Sequence, residues 1–246
     1  MIDRRGFLQA TAMGAAVTAM PTWAKASAGQ ADAALAALLQ RHAEAYFQRS
    51  PEEATANSYD VGAHAGLRAL LDDRSLPARA SDRAAIRQAL VQLRRIDRAS
   101  LSANGVLDYD VASFVYETLD DLLGRYGYVD GNLRPSPYVV SQMNGAYYWL
   151  PDFIGTRHPI ETRADADAWL SRLSALGTAL DQETDRIRHD AGIGVIPPDF
   201  VITRTIAQIR DLRDRDPLVS PLMAPALARI SAKGLGDYGG RAKAIF

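Results

Sequence analysis

Cysteine is absent from all 246 residues, which removes disulfides, thiolate nucleophiles and cysteine-ligated zinc from this chain. Histidine is scarce. His42, His64, His158 and His189 are the whole supply, and none belongs to an H-E-x-x-H pattern that would set two imidazoles one turn apart beside a general base. There is no G-x-S-x-G elbow to strain a serine nucleophile. A phosphate loop is missing too, since "GIGVIPP" at 192–198 has neither a lysine nor a preceding strand. No stretch after the opening residues is long and apolar enough to span a bilayer, so no stable membrane anchor is expected. Lys and Arg are interspersed with Asp and Glu, the net charge is −1, and no basic stripe exists to attract nucleic acid.

What is present begins with an address. Arg4 and Arg5 form a basic head, Phe7 to Met20 a diluted apolar middle, and Ala24-Lys25-Ala26 a small-residue cleavage signal. The arginine pair followed by Gly6, Phe7 and Leu8 resembles the twin-arginine leader, which a receptor reads and which does not anchor. The expected organisation is a signal peptide over 1–26 and a helical domain over 27–246. The expected partner is the twin-arginine export machinery, and the expected location periplasmic or otherwise exported. Export after folding in a reducing cytoplasm suits a chain without cysteine.

Apolar residues recur at helical spacing nearly everywhere, which predicts an all-α fold. Asp32 to Arg49 reads as a first helix with Leu35, Leu38, Leu39, His42 and Tyr46 on one face. Ser50, Pro51 and Glu53 give a helix start. Ser81 is expected to open a helix with Ile86, Leu90, Leu93 and Ile96 inward. Leu107, Val111, Phe114, Val115, Thr118 and Leu122 mark the inward stripe of the next, running to Tyr126. Thr162, with Asp165 three places on, caps a long helix carrying Trp169, Leu173, Leu176, Leu180 and Ile187 and stopped by Gly192. Asp199 begins another, with Ile202, Ile206, Ile209 and Leu212 inward. Asp237 is expected to start a last helix that has scarcely begun at Phe246, as in the front part of a longer, truncated protein.

Between the Tyr126 and Thr162 boundaries lies "GYVDGNLRPSPYVVSQMNGAYYWLPDFIGTRHP", broken by Pro, Gly and Asn144-Gly145 yet rich in aromatics. Tyr147, Tyr148 and Trp149 are consecutive, so they cannot all enter one core. At least one should face solvent, another domain or a ligand. Asn144, Tyr147, Tyr148, Trp149, Arg157 and His158 are therefore the candidate substrate contacts, with a peptide as the possible substrate. No catalytic residue and no metal ligand is assigned. Asp185 and His189 share a helix face, but zinc sites use three protein ligands and no third is evident; a helix-end histidine paired with an acid one turn back is the better reading. Glu117, Asp120 and Asp121 read as a solvated acidic face.

The stretches "SPYVVSQMNGAYYWLPDF" and "GIGVIPPDFVITRTIAQI", with the leader and intervening helices, resemble the amino-terminal part of the bacterial domain of unknown function 885 family, from Gln30 to Phe246. Members of that family are longer and look like all-helical zinc metallopeptidases, with a motif similar to His-Glu-x-x-Pro-Gly-His in their carboxyl-terminal part. The resemblance implies peptide-bond hydrolysis by metal-activated water. This chain contains no such motif, so no catalytic position carries over, and zinc is expected only in a full-length protein. The resulting expectation is an exported amino-terminal fragment of a metallopeptidase-like hydrolase, inactive alone, with exposed apolar surface. A rival reading is a non-catalytic periplasmic helical module that binds a peptide or protein.

Overall fold

The computed structural model describes residues 22–128 and 137–245, with side chains from residue 29 onward. Among these residues the fold is helical throughout, without a strand. Helix α1 (Thr22–Arg49) starts ten residues earlier than Asp32, so Ala24 and Ala26 lie within it; Arg4, Arg5, Phe7 and Leu8 fall outside the described residues. After α2 (Pro51–Ala56) comes a 3-10 segment, Gly62–Ala69, which no periodicity announced. Helix α3 (Leu76–Leu93) opens five residues before Ser81, because Ser75 accepts the Ala78 N–H at 3.2 Å and Pro77 fits the first turn. Helix α4 (Ala103–Arg125) is capped by Ser102, whose hydroxyl accepts from Gly105. No described helix is long and apolar enough to cross a membrane.

Helix α5 (Ala146–Asp152) runs into a π turn, Phe153–Arg157, and leads to α6 (Arg163–Gly192). Thr162 and Asp165 form the expected capping box: Thr162 N–H donates to Asp165 Oδ2 at 2.8 Å, and Asp165 N–H to Thr162 Oγ1 at 3.3 Å. Helices α7 (Asp199–Asp214), α8 (Ala224–Ala232) and α9 (Gly239–Lys243) follow. Asp237 accepts the Gly239 N–H at 3.0 Å, two residues into the expected start.

Two apolar clusters organise these helices. One surrounds α6, where Trp169, Leu170 and Leu173 meet Leu150 and Ile154 from the α5 region and Met223, Ala226 and Ile230 from the α8 region. Burying each large side chain contributes about 2 kcal/mol. The other joins α1, α3 and α4 through Leu35, Leu38, Leu93, Tyr109, Ala112 and Tyr116.

That second cluster corrects the expected orientation of α4. Leu107, Val111, Phe114 and Val115 face outward, Phe114 being 69% exposed, while Tyr109, Ala112 and Tyr116 make the contact. The helix is apolar on both sides, and the smaller alanine face lets it approach α1 and α3. Helix α7 is likewise rotated: Val201, Thr205 and Leu212 pack inward, and Ile206 and Ile209 are exposed. On α6 the last residue of the expected stripe, Ile187, is exposed as well.

A polar joint links α6 to the segment before α3. Arg172 is fully buried, and it donates to the carbonyls of Leu70 (2.8 Å) and Pro51 (3.2 Å), to Thr55 Oγ1 (2.6 Å) and to His158 Nδ1 (3.0 Å). Nearby, Arg68 bridges Asp60 and Asp165. Desolvation holds the Arg172 guanidinium down at about 10, well below its ordinary value.

Candidate functional site

The aromatic segment is built outward from a tight turn. Ser141 and Asn144 exchange backbone hydrogen bonds of 3.0 and 3.2 Å, and the Asn144 amide donates to the Tyr138 and Val139 carbonyls. Asn144 is thereby a buried turn brace. Gly145 follows with φ of 114°, a conformation that side-chain-bearing residues rarely adopt. A Cβ there would lie 3.1 Å from Val140 Cγ2 and 3.3 Å from Glu183 Oε2. The close approach lets Glu183, buried on α6, accept the Ala146 N–H at 2.7 Å and fix where α5 begins.

The single turn starting at Ala146 then sorts the three aromatics. Tyr147 and Leu150 point inward; Tyr147 Oη lies 2.6 Å from the Ser141 carbonyl and 2.9 Å from Gln208 Oε1, and burial raises its phenol pKa. Tyr148 and Trp149 remain 39% and 38% exposed and meet edge to face, centroids 5.1 Å apart at 82°. One turn on, Arg157 Nε donates to Asp152 Oδ2 at 2.7 Å in an exposed ion pair, and Thr156 Oγ1 donates to Asp152 Oδ1 at 2.6 Å. These bonds hold the Asp152 carboxyl below its usual range.

His158 has no exposed surface. Its Nε2 donates to the Asp165 carbonyl at 2.9 Å, its Nδ1 accepts from Arg172, and its own carbonyl accepts from Arg229. Burial, with Arg172 and Arg68 close by, pushes its pKa down to about 4, so it is a neutral joint between α6 and the π turn. The structure thus divides the six candidates: Tyr148, Trp149 and Arg157 lie on the surface, and Asn144, Tyr147 and His158 hold that surface in place. Its chemistry is contact chemistry, two ring edges beside a paired cation and anion.

Several other titratable groups are held in ion pairs. Glu117, Asp120 and Asp121 pair with Arg94, with Arg83 and Arg87, and with Arg125. Asp185 pairs with Arg188, while His189 meets Asp190, its neighbour, and not the acid one turn back. Among the described residues no three His, Cys, Asp or Glu side chains are placed to hold a metal ion. The buried joint of Arg172, Thr55 and His158 escaped the sequence reading, because its partners are 117 and 14 residues away from Arg172 and follow no local pattern.

A family profile described as "Bacterial protein of unknown function (DUF885)" matches residues 51–244. No curated protein and no solved structure matches the chain.

Proposed function

The chain belongs to the DUF885 family of bacterial proteins, and from that premise we propose that it is an exported helical unit that borders the peptide-binding cleft of a zinc-metallopeptidase-like hydrolase and does not hydrolyse peptides by itself. The observation that carries the reading is the α5 ledge: Tyr148 and Trp149 are held outward by buried neighbours within one turn. Rigid, amphipathic rings offer large contact area at little cost in conformational entropy. The outward apolar residues of α4 and α7 add surface suited to further protein. On this reading the chain binds and positions the peptide. The resemblance of the opening residues to a twin-arginine leader supports export.

A second reading, a non-catalytic periplasmic module, uses the same ledge to hold a peptide or protein without chemistry. One experiment tests both. The full chain, with and without added zinc, is incubated with a mixed peptide panel while binding is followed by anisotropy and cleavage by mass spectrometry. Binding that falls at least fivefold in Trp149→Ala and Tyr148→Ala, without cleavage, is expected. Unchanged binding in both variants would remove the ledge from the account, and zinc-dependent cleavage by this chain alone would overturn its inactivity.

A further inference from the structure

The middle of α1 and the C-terminal end of α3 border a second concavity. It has a volume of about 360 Å³ and is lined by Ala34, Leu38, Arg41, Gln92, Arg95 and Ile96. That volume lies within the range of small-ligand sites. Leu38 is buried and Ile96 packs on the same cluster, so the floor is apolar. Among the described residues no acidic side chain lines it.

Its two arginines differ from most in the protein. Arg49, Arg68, Arg74, Arg83, Arg87, Arg94, Arg98 and Arg125 each meet a carboxylate. Arg41 and Arg95 meet none among the described residues, and both side chains are exposed. The third polar group is fixed from behind. Gln92 Oε1 lies 2.9 Å from His42 Nε2, and His42 Nδ1 lies 3.0 Å from Tyr116 Oη. The consistent proton arrangement has the tyrosine hydroxyl donate to Nδ1 and the imidazole Nε2–H donate to Gln92 Oε1. Gln92 then keeps its two amide protons for another acceptor. The relay crosses α1, α3 and α4, so the amide is held by three helices.

Two unpaired guanidiniums and an oriented amide above an apolar floor are complementary to an oxyanion joined to an apolar group. Guanidinium forks bind carboxylates through paired, charge-assisted hydrogen bonds. We propose that this concavity binds a carboxylate borne on an apolar body, Arg41, Arg95 and Gln92 taking the carboxylate and Leu38 and Ile96 the apolar part. Such a carboxylate comes from the C-terminal end of an apolar peptide or from an aliphatic acid.

The test is calorimetric titration of the full chain with N-acetyl-Leu-Leu acid, its C-terminal amide, hexanoate and inorganic phosphate. Saturable binding of one carboxylate is expected, and which one binds identifies the source. The amide should bind at least tenfold more weakly than the acid where the peptide is the ligand. Arg41→Gln and Arg95→Gln should each weaken binding at least fivefold. Gln92→Glu keeps an acceptor for His42 but sets a negative charge against the ligand, and should abolish binding with the thermal midpoint preserved. Four results would overturn the proposal: no saturable binding of either carboxylate, saturable binding of the peptide amide equal to that of the peptide acid, phosphate binding as tight as the carboxylate, or unchanged affinity in the three variants. Arg95 also follows the end of α3, where a cation complements the helix dipole. Loss of stability in Arg95→Gln with affinity retained would assign it to that role and count against the site.

Discussion

Glu52 and Asp72 each accept the other's backbone N–H: Asp72 Oδ1 from Glu52 and Glu52 Oε1 from Asp72, both at 3.0 Å. Arg74 closes the arrangement with bonds of 2.8 and 2.9 Å to the two Glu52 oxygens. Two carboxylates so close cannot both ionise freely, and burial together with the Glu52 charge pushes Asp72 up to about 7.

The pH consequence has a definite sign. An acid whose pKa is raised by folding binds its proton more tightly in the folded state, so its stabilising contribution is present near pH 4 and is lost as pH rises to 7. We predict that Asp72→Asn, which keeps an acceptor for the Glu52 N–H, gains about 1 kcal/mol over the natural chain at pH 8 and nothing at pH 4. Urea unfolding at both pH values checks this; a larger loss at pH 8 than at pH 4 would contradict it.

His158 slopes the other way. Its folded pKa of about 4 lies below the ordinary histidine value, so the unfolded chain takes up a proton first and stability drains away as pH falls from 6.5 to 4. His158→Gln should flatten that part of the stability profile. A profile in the variant that is as steep as in the natural chain would show that His158 does not titrate on unfolding.

Arg172→Met removes the donor to several buried acceptors while keeping much of the volume. Because the Leu70 and Pro51 carbonyls are left without it, the expected cost is about 3 kcal/mol, read from thermal or urea unfolding. A cost under 1 kcal/mol would mean that other donors or water replace the guanidinium.

Gly155→Ala tests close packing in the π turn. A Cβ there would fall 2.1 Å from the Pro221 carbonyl oxygen, and a backbone obstacle cannot rotate aside. Destabilisation of about 2 kcal/mol is expected from calorimetry. An unchanged midpoint would imply that the turn and Pro221 separate readily.

Phe114 is a contrasting case, since its ring is outside. Phe114→Glu should leave the unfolding free energy, read from urea unfolding, within about 0.5 kcal/mol. A loss above 1.5 kcal/mol would place the ring in the core after all.

The residues explain how far the sequence could be read. The start of α6 was legible because Thr162 and Asp165 satisfy each other locally. The α4 orientation was not, because apolar side chains occupy both faces and spacing alone cannot choose between Phe114 and Tyr116. Three consecutive rings required an outward one, but only the Gly145 turn and Glu183 decide that it is Tyr148 and Trp149. The carboxylate concavity was illegible for a similar reason: His42 and Gln92 lie 50 residues apart.

The Arg172 joint also bears on biosynthesis. The carbonyls of Pro51 and Leu70 leave the ribosome first, and the guanidinium that serves them is encoded 121 and 102 residues later. At roughly 5–20 residues per second, the early segment waits on the order of 5–25 seconds without the guanidinium that joins those groups. A nascent chain halted before α6 is therefore the form a chaperone or protease would meet with its amino-terminal helices unlocked, and translation speed across this interval sets how long that exposure lasts.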